Sequence, residues 1–182
     1  MIYLTSDTHF CHDKDFIYSP RGYSSVQEMN QDQIKNWNET VSADDDIYML
    51  GDFFLGTDTD FIKKTVSELN GKIHLIVGNH DTPAKLKLYA ECKNIVEIVY
   101  AAQIKHRQRY FYLSHYPTLT ADLQTRPEKA IVNIFGHTHS KEKFYNDSPY
   151  MYNVALDAND NKPVSIDDIY NQVISRVQEI YG

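Results

Sequence analysis

The chain predicts an α/β fold: two packed mixed β-sheets flanked by helices, an α/β/β/α sandwich, as a single domain over residues 1–182. Three observations carry this expectation. Short apolar runs rich in β-branched and aromatic residues recur along the sequence. In the first half they alternate with helical patterns, the order that produces βαβ units and a parallel core. From Ile95 onward strand-like runs follow one another closely, which predicts more antiparallel pairing.

The elements follow in order. Ile2–Leu4 is a strand, and because its run is continuous rather than alternating it is expected to be buried on both faces. Ser25 caps a helix with Glu28 as its capping-box partner, and Val26, Met29, Gln33 and Trp37 carry the helix onward. The polar turn Asp44-Asp45-Asp46 precedes a second strand, Ile47–Leu50; it lacks the spacing of a calcium loop. A helix from about Asp60 to Leu69 stops at Asn70-Gly71. Ile73–Val77 is the third strand, and Pro83, a favoured first helical residue, opens a helix through Leu86 and Tyr89. Strands are then expected at Ile95–Tyr100, 103–106, 109–113, Ile131–Phe135, 142–145 and 150–154. After Pro163, Ser165 caps the last helix with Asp168 three residues on, and Ile166, Ile169, Val173, Val177 and Ile180 form one apolar face.

Composition narrows the function classes. Of 182 residues, 42% are hydrophobic and 24% charged, which excludes a disordered chain. No apolar run reaches the length of a bilayer span, and the N-terminal run stops at Thr5 with no basic segment before it, so a cytoplasmic location is expected. The net charge of -7 argues against broad binding to nucleic acid or an anionic membrane. A local metal can still attract an anionic substrate against that balance. The two cysteines, Cys11 and Cys92, form neither a redox pair motif nor a zinc knuckle. Cys11 reads as a small buried thiol and the 14 tyrosines mostly as strand and core residues.

The polar residues are more specific. Clusters stand where strands end: Ser6-Asp7-Thr8-His9, Gly51-Asp52, Gly78-Asn79-His80-Asp81, Ser114-His115 and Gly136-His137-Thr138-His139. In open α/β sheets ligands bind beyond the carboxyl ends of strands, so five such clusters converge in space. Alone, each is weak: a single histidine at a strand end is more often structural, and Gly-Asp is usually a turn. Together, Asp7, His9, Asp52, Asn79, His115, His137 and His139 supply oxygen and imidazole nitrogen without thiolate. That donor set suits Mn, Fe, Zn or Ni. Seven donors exceed one tetrahedral site and are enough for two adjacent metals with one bridging carboxylate, the clamp used in phosphoryl hydrolysis.

This arrangement resembles the calcineurin-like metallophosphoesterase family, whose pattern is D-x-H, G-D, G-N-H-D/E, H and G-H-x-H. The matching residues are Asp7-Thr8-His9, Gly51-Asp52, Gly78-Asn79-His80-Asp81, His115 and Gly136-His137-Thr138-His139. The segments SDTHFCH, SHYP and NVALDANDNKPVSIDDI extend the likeness to a small bacterial and phage subgroup of phosphoesterases. The chain departs from that subgroup around 159–162, where bulkier aromatic and Arg residues are expected. The resemblance implies one metal held by Asp7, His9, Asp52 and His139, and a second by Asp52, Asn79, His115 and His137. It implies two divalent ions, Mn first and Fe, Zn, Ni or Mg as alternatives, with a hydroxide between them as nucleophile. His80 would face the scissile phosphate, and Asp81 would hydrogen-bond its other ring nitrogen.

The stretch between Asp7 and Asp52 is far longer than that between Asp52 and Asn79, so residues from Phe10 to Ser24 are surplus to a crossover and are expected at the site mouth. There His12 and Arg21 are candidate substrate-binding residues. Pro20-Arg21-Gly22 is a turn that would present the guanidinium, an ion pair with a nearby acid being the other role open to it. The resulting expectation is a phosphohydrolase for small phosphodiesters or nucleotide-like phosphoesters, with no membrane or stable nucleic-acid partner. A silent metal-binding scaffold is the first alternative, disfavoured because His80 and every ligand are present. A nuclease is the second, disfavoured by the acidic charge.

Overall fold

The strands and helices expected from the apolar runs assemble into two sheets in the computed structural model, which describes residues 1–120 and 130–182. The first sheet holds β1 (Ile2–Thr5), β2 (Asp46–Met49), β3 (Lys72–Ile76), β4 (Ile95–Val99) and β9 (Val164–Ser165), in the order β4-β3-β2-β1-β9. β1 to β4 are mutually parallel, and only β9 joins antiparallel, against β1. The second sheet holds β5 (Ala101–His106), β6 (Arg109–Ser114), β7 (Val132–Phe135) and β8 (Met151–Asn153), in chain order.

Two expectations for the second half are corrected. Within the second sheet antiparallel strand pairing is confined to β5 and β6; β6 with β7 and β7 with β8 run parallel. The strand expected at 142–145 does not form. Phe144 makes one isolated bridge to Tyr152, after which the chain enters a 3-10 turn over Tyr145–Asp147. Asn146 and Asp147 there take φ of 49° and 57°, a left-handed conformation that Asn and Asp accept more readily than other side chains.

The helices begin where their caps stand. α1 (Asp15–Tyr18) is a single turn followed by a 3-10 turn over Ser19–Arg21. α2 (Val26–Thr40) is capped by Ser25, whose Oγ accepts from the Glu28 amide. The Glu28 carboxylate reaches Ser24 rather than closing a box on Ser25. α3 (Thr59–Glu68) starts on Asp58, α4 (Pro83–Tyr89) on Thr82 and α5 (Ile166–Tyr181) on Ser165. Trp37, Ile62, Val66 and Tyr89 from α2, α3 and α4 pack on Ile47, Met49, Ile73 and Leu75 of the first sheet. A second cluster joins Leu4, Ile76, Leu113, Ile134 and Tyr152 from both sheets to Ile166, Ile169 and Val173 of α5. Ile180, expected on that apolar face, is exposed near the helix end. Among the described residues no helix is long and apolar enough to cross a membrane.

Parallel pairing matters for function more than for the core. β1, β2, β3, β6 and β7 all deliver their carboxyl ends to one edge of the sandwich, and every polar cluster singled out above follows one of those ends.

Candidate metal centre

The loops at this edge are tied to one another through the backbone. The Asp7 amide donates to the Gly51 carbonyl and the His9 amide to the Asp52 carbonyl, both at 3.1 Å. Asp7 Oδ2 accepts from the His137 amide at 2.8 Å, and His115 Nδ1 lies 2.8 Å from the Leu50 carbonyl. Tight crossing of loops forces unusual backbone. Asp7, His9, Asp52, His137 and His139 have φ between 50° and 67°. Such a residue costs of order 1–3 kcal/mol and persists where its surroundings over-determine it, typically at functional sites. Gly136 permits the closest approach: a Cβ there would run into Ser6 Oγ and Asp7 Oδ2.

Two groups of potential ligands result. Asp7, His9 and His139 form one, and Asp52, His115 and His137 the other; within each, one donor atom per residue lies within 4.8 Å of the others. Asp52 Oδ2 stands between them, 3.7 Å from His9 Nε2 and 3.6 Å from His115 Nε2. Asn79 Oδ1 joins the second group at 2.9 Å from His115 Nε2. Asp7 Oδ1 and both ring nitrogens of His9 are buried and have no hydrogen-bond partner. Buried polar atoms are otherwise nearly always satisfied, so these atoms fit a cation between them. The imidazoles differ in their surroundings: the Asp157 carboxylate pushes His139 up from the ordinary histidine value. Burial pushes His9 and His137 down from the ordinary histidine value, keeping the lone pair that a ligand needs.

Behind the ligands the structure differs from expectation at two residues. Arg21 is not presented to substrate. Its side chain is 1% exposed. Nε and one terminal nitrogen donate to Asp157 at 2.9 and 2.8 Å, and the terminal nitrogens also donate to the carbonyls of Asp7 and Thr8. The turn at Ser19–Arg21 aims the guanidinium inward because the largely buried Asp157 carboxylate and the carbonyls of Asp7 and Thr8 are there to receive it. Asp81 does not touch the His80 ring. Its carboxylate accepts from the amides of Gly78, Asp52 and Phe53, with the Tyr89 hydroxyl at 3.4 Å. Three backbone donors in a buried turn outbid one exposed imidazole; even so, burial leaves the carboxyl raised.

His80 and His12 do reach the site. His80 Nε2 is 4.0 Å from Asp52 Oδ2, on a side chain 46% exposed, and the His80 amide donates to Asp52 Oδ1. The His12 ring lies 5.3 Å from that of His9, and burial, aided by His9, His80 and His139, pushes His12 down to about 4. The residue that sequence reasoning missed is Asp157. It accepts from Arg21 and lies 3.0 Å from His139 Nδ1, fixing the tautomer that leaves Nε2 free. Burial opposes its ionisation, but His139 and Arg21 outweigh that and hold it well below the carboxylate range. A lone acid inside the apolar run Val154–Ala158 was the available signal. Lys85 was missed too: its buried ammonium donates to the carbonyls of Phe54 and His80 and pins their loops together.

Comparison with known proteins agrees with this geometry. Residues 1–154 match the family model for the calcineurin-like phosphoesterase superfamily domain. An uncharacterized protein of Methanocaldococcus jannaschii is 34% identical over 171 residues, spanning 91% of this chain and 87% of that one. A protein of unknown function from Aquifex aeolicus superposes with a TM-score of 0.72 at 25% identity, over 94% of this chain and 98% of that one.

Proposed function

The chain belongs to the calcineurin-like phosphoesterase superfamily, and on that footing we propose that it is a dinuclear metal-dependent phosphohydrolase for small phosphodiesters or nucleotide-like phosphoesters. The position of Asp52 Oδ2, within 3.7 Å of an imidazole from each ligand group, is the observation that carries this reading. Asp7, His9, Asp52 and His139 would hold one ion, and Asp52, Asn79, His115 and His137 the other. Divalent cations there, Mn foremost, would supply a water of lowered pKa and offset charge on the phosphoryl oxygens.

The chain's own groups do the rest. Asp52 is anchored at its amide by Asp81, and its Oδ1 accepts from the His80 amide, which orients the carboxylate toward both ligand groups. His80 stands beside Asp52 on the open side, where a phosphate entering the site meets it. As water oxygen joins phosphorus and the ester P–O bond breaks, His80 in its protonated form would give its proton to the departing alkoxide. His12 stays neutral and is placed to accept or donate a hydrogen bond at the mouth. Substrates are small in this reading, since a net charge of -7 gives no broad basic surface to a polymer. A panel of phosphomonoesters, diesters and cyclic nucleotides assayed on Mn-loaded protein tests the proposal. Turnover of at least one class, abolished by Asp52→Asn, is expected; no turnover with Mn, Fe, Zn, Ni or Mg would reject it.

A further inference from the structure

A cavity of about 450 Å³ opens beside the metal centre, between the 55–59 loop, α3 and α4, with Asn79 and His80 in its wall. We propose that it seats the leaving arm of the substrate, and that this arm is of nucleoside size with an apolar face and polar edges. The proposal rests on the phosphohydrolase reading and narrows it to a substrate class. Position supplies the first argument. His80 borders both the centre, with Nε2 4.0 Å from Asp52 Oδ2, and this cavity, so a substrate held by its phosphate at the centre extends its arm past His80 into this space.

Lining supplies the second. Leu55, Ile62 and Leu88 give the cavity an apolar part, while Thr57, Thr59 and Thr82 put hydroxyls around it. Ligand pockets of roughly 300–1,000 Å³ share that mixture, apolar contact for affinity and a few polar groups for orientation. A cavity near the lower end of that range holds one compact group and no polymer. Its shape is also fixed from below, since Lys85 ties the His80 loop to the Phe54 carbonyl that precedes Leu55.

Charge supplies the third. A second cavity of about 400 Å³ flanks the centre at Thr138, but Glu142 and Asp147 line it and no Lys or Arg does among the described residues. The cavity at His80 carries Lys85 and Lys87 against Glu91, and Glu91 is already paired with Lys63 at 2.7 Å. An anionic phosphoester is therefore drawn to the His80 side and repelled from the other.

Calorimetry on Mn-loaded protein with AMP and with inorganic phosphate as probes tests the assignment, since the two differ only by the arm. AMP is expected to bind about tenfold or more tighter than phosphate, from the apolar area it buries. Ala84→Trp, at an exposed position in the lining, fills the cavity and should bring the two affinities together; Thr59→Trp should do the same from the opposite wall. Equal binding of AMP and phosphate by the wild type, failure of both ligands to bind, or an AMP preference that survives in both variants would overturn the proposal. If the preference and its loss are seen but no phosphoester is hydrolysed, the cavity assignment holds and the hydrolase reading fails. Hydrolysis without AMP preference gives the reverse.

Discussion

Asp157→Ala removes one carboxylate and leaves a buried cation behind it. Arg21 then loses the acceptor of its Nε at 2.9 Å and of a terminal nitrogen at 2.8 Å, and keeps the Asp7 and Thr8 carbonyls at 2.7 and 3.2 Å. Breaking a buried pair by deleting one partner costs about 3–5 kcal/mol. The two retained carbonyls and the 12% exposure of Asp157 place this case at the lower end, about 3 kcal/mol. For a domain of this size that is a fall in Tm of about 6–12 °C. Scanning calorimetry on metal-free protein at neutral pH isolates the effect from metal binding. The sign with pH follows from the depressed carboxyl: its contribution is whole above the unfolded value and is lost as pH falls below about 4. The difference between wild type and variant should therefore shrink in acid. A double change, Arg21→Met with Asp157→Leu, replaces the pair by apolar volume and should cost less than Asp157→Ala alone. His139 also loses its Nδ1 partner, so affinity at its ligand group should fall about 10–100-fold in chelator competition. A Tm for Asp157→Ala within about 2 °C of wild type would refute the reasoning.

Three further outcomes are expected. Elemental analysis of Mn-loaded protein should give about two equivalents per chain, and Asp52→Asn should lower it; an undiminished content would remove the bridging role. His80→Ala should keep its metal and lose roughly 10²–10⁴-fold in rate, least on nitrophenyl esters, whose leaving group needs no proton; metal loss would reject the assignment. Asp81→Ala leaves three buried amides unanswered and should lose at least about 2 kcal/mol in urea titration. Its rate loss should be the same for good and poor leaving groups. A loss confined to poor ones would restore the partnership with His80 that the structure does not show.

The parts of this molecule readable in advance are those set by neighbours in sequence. β1, β2 and β3 sit within a residue of their apolar runs, although one face of each stays partly exposed at Ile2, Tyr48 and His74. Ser25 and Ser165 declare their helices because a cap acts three residues away. The residues of the two candidate ligand groups were legible for a related reason: each follows the end of a visible strand. What escaped is long-range. Arg21 and Asp157 are separated by most of the chain, and nothing local distinguishes a guanidinium bound for a buried acid from one bound for a phosphate. Asp81 misled because it adjoins His80; its carboxylate answers amides brought in by another loop. The parallel run of β6, β7 and β8 likewise depends on pairing between distant segments, which a succession of strand-like runs does not encode.

Each ligand group draws from both layers of the sandwich. Asp7 and His9 follow β1 of the first sheet, and His139 follows β7 of the second; Asp52 follows β2, whereas His115 and His137 follow β6 and β7. Cations bound in both places would rivet one layer to the other at a single rim, adding to the hydrogen bonds from His137 to Asp7 and from His115 to Leu50 that already cross the seam. Binding free energy is thereby spent on the alignment of two sheets as well as on the reacting centre. Stripping the ions would first loosen the shear between layers at that rim, and amides flanking the seam would register the loss in hydrogen exchange before those deep in either sheet.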